Sequence, residues 1–77
     1  MSEGPYQVLL FESVSATLLA EKILKKGGVP HKLIPIPRYL SSDCGVCIRI
    51  RESVLQQAME SLEGRVRVSA THTLSQT

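Results

Sequence analysis

Seventy-seven residues, 43% of them apolar and 21% charged, make one small domain, because a chain of this length buries only roughly 60% of its unfolded surface around a single core. No apolar stretch approaches the ~18 residues of a membrane span, and Met1-Ser2-Glu3-Gly4 has neither a basic n-region nor an apolar h-region, so no membrane role and a cytoplasmic location are expected. The net charge of +2 is too small to argue for nucleic acid without a local pattern.

Tyr6 to Phe11 is an apolar run with little alternation, the pattern of a central strand covered on both faces. Ala16, Leu19, Ala20, Ile23 and Leu24 then recur at three- and four-residue spacings, which predicts an amphipathic helix over Val14–Lys26, capped by Ser13 and ended by Gly27-Gly28. His31 to Pro37 reads as extended, but Pro35 and Pro37 cannot donate to a ladder, so this strand belongs at an edge. Such an edge either pairs in a homodimer or is protected by its prolines, and both remain open. Arg38 to Gly45 has no periodicity and is rich in turn-forming residues, hence a loop. Val46, Ile48 and Ile50 alternate with Cys47, Arg49 and Arg51, which predicts a half-exposed strand with one polar face.

Val54, Leu55, Ala58, Met59 and Leu62 mark a second helix from Glu52 or Ser53 to Glu63, with Gly64 placed to end it. Arg65 to Ser69 alternates again and predicts a short last strand, leaving residues 70–77 as a flexible polar tail behind a domain of residues 1–69. The order strand, helix, strand, strand, helix, strand is the α+β, ferredoxin-like βαββα(β) sandwich: an antiparallel sheet with two helices on one face.

The close pair Cys44 and Cys47 is the most informative feature, since in a reducing compartment such spacing points to metal, redox or sulfur chemistry. Thioredoxin-type pairs sit at a helix N-terminus, whereas this pair enters a strand. A zinc site needs four ligands, and His31 and His72 stand at no recognisable spacing from the thiols, so no metal site within one chain and no cofactor are expected. The carboxylates are spread rather than paired, and Gly27-Gly28 end a helix rather than begin one. A carrier or adaptor is therefore expected rather than an enzyme.

From Ile34 the string Ile-Pro-Ile-Pro-Arg-Tyr-Leu-Ser-Ser-Asp-Cys-Gly-Val-Cys-Ile-Arg-Ile resembles the signature of the putative Se/S carrier protein-like family. Phe11-Glu12-Ser13 closing the first strand and Ala20-Glu21-Lys22 within the first helix extend the likeness over about residues 6–63. The resemblance implies a small αβ domain whose cysteine, here Cys44, carries sulfur or selenium between donor and acceptor proteins. Cys47 departs from the pattern, which requires only the first cysteine.

Such transfer needs an exposed thiolate that attacks a donor persulfide and presents the added atom to an acceptor. Arg38 and the backbone N–H groups of the loop favour the thiolate, Pro37 belongs to the same supporting loop, and Ser41, Ser42 and Asp43 are placed to donate or orient hydrogen bonds, while Asp43 as a neighbouring anion opposes the thiolate. Gly45 leaves room for an approaching sulfur. Cys47 is either a resolving thiol or an ordinary strand residue.

The competing reading is electrostatic. Lys22 to Arg51 carries a net +6, and Arg49, Arg51, Arg65 and Arg67 occupy outward strand positions, which predicts a basic face. No aromatic is interleaved with Cys47, Arg49 and Arg51, which argues against RNA; such arginines ordinarily keep an uncovered sheet face soluble and guard its edges, and in a functional reading they dock an acidic protein partner and steer it towards Cys44. The alternatives to a carrier are thus a small interaction or RNA-binding module on that basic face, or a dithiol redox or metal-binding adaptor.

Overall fold

In the computed structural model, which describes residues 5–37, 39–40 and 45–74, four strands form one sheet. β1 (Tyr6–Leu10), β2 (Lys32–Pro35), β3 (Val46–Arg51) and β4 (Ala70–Leu74) lie in the order β2-β3-β1-β4, and every neighbouring pair is antiparallel. β1 is central, and Gln7 to Leu10 are buried, as an unbroken apolar run requires. The proline-bearing β2 lies at an edge, where a missing donor is tolerated. With α1 (Val14–Lys26) and α2 (Leu55–Leu62) this is the ferredoxin-like arrangement.

α1 begins where the sequence predicts. Ser13 is extended, and its hydroxyl accepts from the Ala16 N–H at 3.0 Å, satisfying one of the orphan donors of the first turn. Its buried face carries Thr17, Ala20 and Leu24, and the Thr17 hydroxyl donates back to the Ser13 carbonyl at 2.9 Å, which lets a polar residue sit there. Leu19, expected on the buried stripe, is instead 49% exposed. The helix is rolled toward Ala16, Thr17 and Ala20, and the apolar spacing alone could not choose between those neighbouring stripes. α2 is shorter than expected, because Glu52–Val54 form a 3₁₀ turn before it.

Both helices cover one face of the sheet. Leu9, Phe11, Ile48 and Ile50 from the strands meet Ala20, Leu24, Ala58 and Leu62 from the helices, with Val29 beside them. Each fully buried large side chain here contributes about 1.5–3 kcal/mol relative to exposure. His31 clasps this layer from the α1–β2 turn. Its Nδ1 donates to the Val29 carbonyl at 2.6 Å, and its Nε2 meets the Glu21 carboxylate at 3.0 Å.

The last strand differs from the expectation. Arg65–Ser69 is not a strand; Val66 and Val68 point into the helix-side core from an irregular connection. Their alternation with Arg65 and Arg67 reflects burial without pairing. Pairing begins one step later, where the Ser69 N–H donates to the Leu10 carbonyl at 2.8 Å. Ala70 to Leu74, expected as the start of a polar tail, then runs beside β1 as β4, with Gln7 Nε2 donating to Thr73 Oγ1 at 2.8 Å. A strand at the sheet edge exposes most of its residues, so its composition looks like that of a tail.

Candidate functional site

β2 and β3 are the two arms of a hairpin, and the cysteine motif is its loop. Beyond the Pro35–Val46 pair the Ile36 N–H donates to the Gly45 carbonyl at 3.1 Å, which ties the two ends together. At the entrance the Leu40 N–H donates to the Pro37 carbonyl at 2.9 Å, a single tight turn. Arg38, Ser41, Ser42 and Cys44, together with Asp43, lie outside the described residues. The structure therefore fixes the frame of the loop, with half-buried Pro37 on one side and exposed Gly45 on the other.

Gly45 adopts φ +85°, and a Cβ built on it would meet no atom within 4 Å. That backbone conformation is one L side chains avoid, so glycine is required by conformation rather than by crowding. The consequence is open space at the residue that follows Cys44 in the chain.

Leu40 is the other fixed point of the loop. Only 9% exposed, it packs on the sheet face opposite the helices, against Val8, Leu10 and Cys47, with Ile34, Ile36, Ala70 and Leu74 around them. This cluster corrects the reading of β3 as a strand with one open polar face. Alternation does place Cys47 opposite the helices, but the centre of that face is a second apolar core and Cys47 is 0% exposed. The period of a strand reports which side a residue faces, not whether something from elsewhere covers it. Among the described residues, the cover includes Leu40 from an aperiodic loop, which no periodicity could reveal.

The four arginines do not share a face. Arg49 and Arg51 stand on β3, whereas Arg65 and Arg67 lie on the connection between α2 and β4. Arg65 lines a hollow with Ile23, Lys26 and Ser61 on the helix side of the molecule. The expected basic sheet face is thus two separate places, because the strand that would have carried Arg65 and Arg67 does not form there. An aromatic also occupies the sheet surface beside Arg49: the guanidinium carbon lies 4.3 Å from the centroid of the Tyr6 ring. Tyr6 pairs with Arg51 across β1 and β3, a juxtaposition invisible to a reading of β3 alone.

Tyr39 is the residue the motif reading passed over. It is 71% exposed, an aromatic side chain that the fold does not use for packing. Its one sequence signal was a bulky aromatic inside an otherwise polar loop.

Among the described residues no group of three His, Cys, Asp or Glu side chains is placed to hold a metal ion, and no helix is long and apolar enough to cross a membrane. The family model described as "Putative Se/S carrier protein-like" matches residues 6–72, from the first residue of β1 to the middle of β4. No curated protein and no solved structure matches the chain.

Proposed function

The chain belongs to the Se/S carrier protein-like family, and on that premise we propose that Cys44 accepts a sulfane sulfur or selenium atom from a donor protein, holds it, and passes it to an acceptor protein. For sulfur, the Cys44 thiolate attacks the terminal sulfur of a donor persulfide. The donor S–S bond breaks, its electron pair leaves with the donor as a thiolate, and Cys44 is left as Cys-S-SH. An acceptor thiolate then removes that sulfur by the same displacement, regenerating the Cys44 thiolate. The chain is a stoichiometric carrier in this reading, acting in a reducing cytoplasm.

The observation that carries the proposal is the frame around the thiol. The loop is closed by the Ile36–Gly45 bond and pinned by Leu40, while the residue next to Cys44 stands in open space at a positive φ. A partner's sulfur needs such an approach, and an anchored loop limits the entropy lost on docking. Exposed Tyr39 adds apolar contact area on the loop, the kind of anchor a protein partner uses.

Cys47 plays a different part. Wholly buried, it can meet only a sulfur brought by the chain's own loop. Its attack on the inner sulfur of a Cys44 persulfide would form a Cys44–Cys47 disulfide and release hydrosulfide, and it requires Leu40 to withdraw first.

The test is intact-mass spectrometry after incubation with a small persulfide donor. One added sulfur, removable by dithiothreitol, is expected on the wild-type chain and on Cys47→Ser, and none on Cys44→Ser. Uptake by Cys44→Ser with loss in Cys47→Ser would overturn the assignment.

A further inference from the structure

We propose that the far end of β3 holds an oxyanion site for a phosphate group, built independently of the thiol-bearing loop. The site is a hollow of about 360 Å³ walled by Tyr6, Pro30, His31, Lys32, Arg49 and Arg51. Sheet register assembles it. Lys32 stands opposite Arg49 across β2 and β3, and Tyr6 opposite Arg51 across β1 and β3, and directly opposed residues project to the same side of a sheet. Lysine and arginine thus face each other where cross-strand pairing usually sets opposite charges, and like charges in that relation destabilise.

No carboxylate lines the hollow among the described residues. Glu21 lies outside the lining and is engaged by His31. Among the described residues, the paired positive charge of Lys32 and Arg49 is thus uncompensated by the walls of the hollow.

Arg49 shows what would compensate it. Its guanidinium carbon lies 4.3 Å from the centroid of the Tyr6 ring, and its Nε is withdrawn from solvent without a hydrogen-bond acceptor. Leaving a buried donor unmade costs about 1–3 kcal/mol, and more on a charged group. A guanidinium is a planar fork of N–H groups, the donor geometry that carboxylates and phosphates satisfy bidentately. A phosphate in the hollow accepts from that fork once the Arg49 side chain turns its buried Nε toward it, which supplies the missing bond, and the Lys32 ammonium adds a second positive charge from across the strand pair. Phosphate is favoured over a carboxylate because its greater charge answers two cations rather than one.

Arg49 is four residues along β3 from Gly45, about 13 Å at strand rise and beyond the ~8 Å Debye length of physiological salt. Occupancy of the hollow and chemistry at Cys44 are accordingly separate, and this site does not rest on the carrier reading. The phosphate is either the free anion or the phosphoryl end of an ester.

Amide and arginine Nε–H NMR spectra of the full chain, titrated with inorganic phosphate at constant ionic strength, test the proposal, with glycerol phosphate and acetate as parallel arms. Saturable shifts are expected at Tyr6, Lys32 and Arg49, with a dissociation constant of about 1 mM or tighter. Arg49→Lys, which keeps the charge and loses the fork, should weaken binding about tenfold. Lys32→Gln, at an exposed position, should weaken it about threefold, and Cys44→Ser should leave it unchanged. Tighter binding of glycerol phosphate identifies an ester as the ligand, and equal or weaker binding identifies the free anion. Acetate binding as tightly as phosphate, full affinity in Arg49→Lys, or unsaturable shifts spread equally over Lys25, Lys26 and Arg65 would overturn it.

Discussion

Cys47 and Ile48 are consecutive in β3 and both are wholly buried, yet the covers above them differ in kind. Ile48 lies beneath two helices, in a cluster to which α1, α2 and the connection after α2 all contribute. Cys47 lies on the opposite face, beneath a smaller cluster to which the motif loop contributes, among the described residues, Leu40 and Ile36. The helix-side core defines the fold. The far-side core ties the loop that bears Cys44 to the sheet, so packing and proposed chemistry share a segment there.

Substitutions in β3 and its covers should separate these two cores. Ile48→Ala removes a buried side chain from the helix-side core and should cost about 4 kcal/mol in urea unfolding, a large share of the stability of a domain this small. Leu40→Ala should cost less, about 2 kcal/mol, because one side of the vacated site is a loop that can relax into it. Its distinctive effect lies elsewhere: Cys47 should react with a thiol reagent at least about tenfold faster in the native state, as a reactive thiol must be accessible. Cys47 reactivity unchanged in Leu40→Ala would mean that the sheet itself, and not the loop, seals it.

Gly45→Ala touches neither core but forces a side chain into a positive-φ position. It should cost about 1–2 kcal/mol of strain, read as a lower urea midpoint with an unchanged slope. Leu19→Gln, on the exposed side of α1, should fall within about 0.5 kcal/mol of wild type. A larger loss there would show that the helix is rolled the other way.

The contrast between the faces also explains what could be read from sequence. β1, α1 and β3 were legible because their covers are periodic elements, and periodic packing leaves periodic residues. Ser13 was legible as a cap because its hydroxyl acts on the turn that follows it directly in the chain. β4 was not, since an edge strand with Thr71, His72 and Thr73 exposed carries the composition of a tail. The burial of Cys47 was not either, because Leu40 reaches it from a loop. The stacking of Arg49 on Tyr6 depends on strand order, which no local pattern contains.

Of the candidate site, Gly45 was recognised from its chemistry, and the structure adds the positive φ that requires it. The shared face of Arg49, Arg51, Arg65 and Arg67 was inferred from an alternation that turned out to be side-chain burial in an unpaired segment. Arg49 and Lys32 acquire a joint role only through their register across β2 and β3.

The central claim is a division of labour between two thiols three residues apart in the chain, one presented to partners and one sealed. Limiting alkylation of the native chain, with each cysteine's labelling followed by peptide mass spectrometry, tests it most directly. Cys44 should be labelled at neutral pH, and Cys47 only after denaturation. Native labelling of Cys47 at the rate of Cys44, or protection of Cys44 until the chain unfolds, would contradict it.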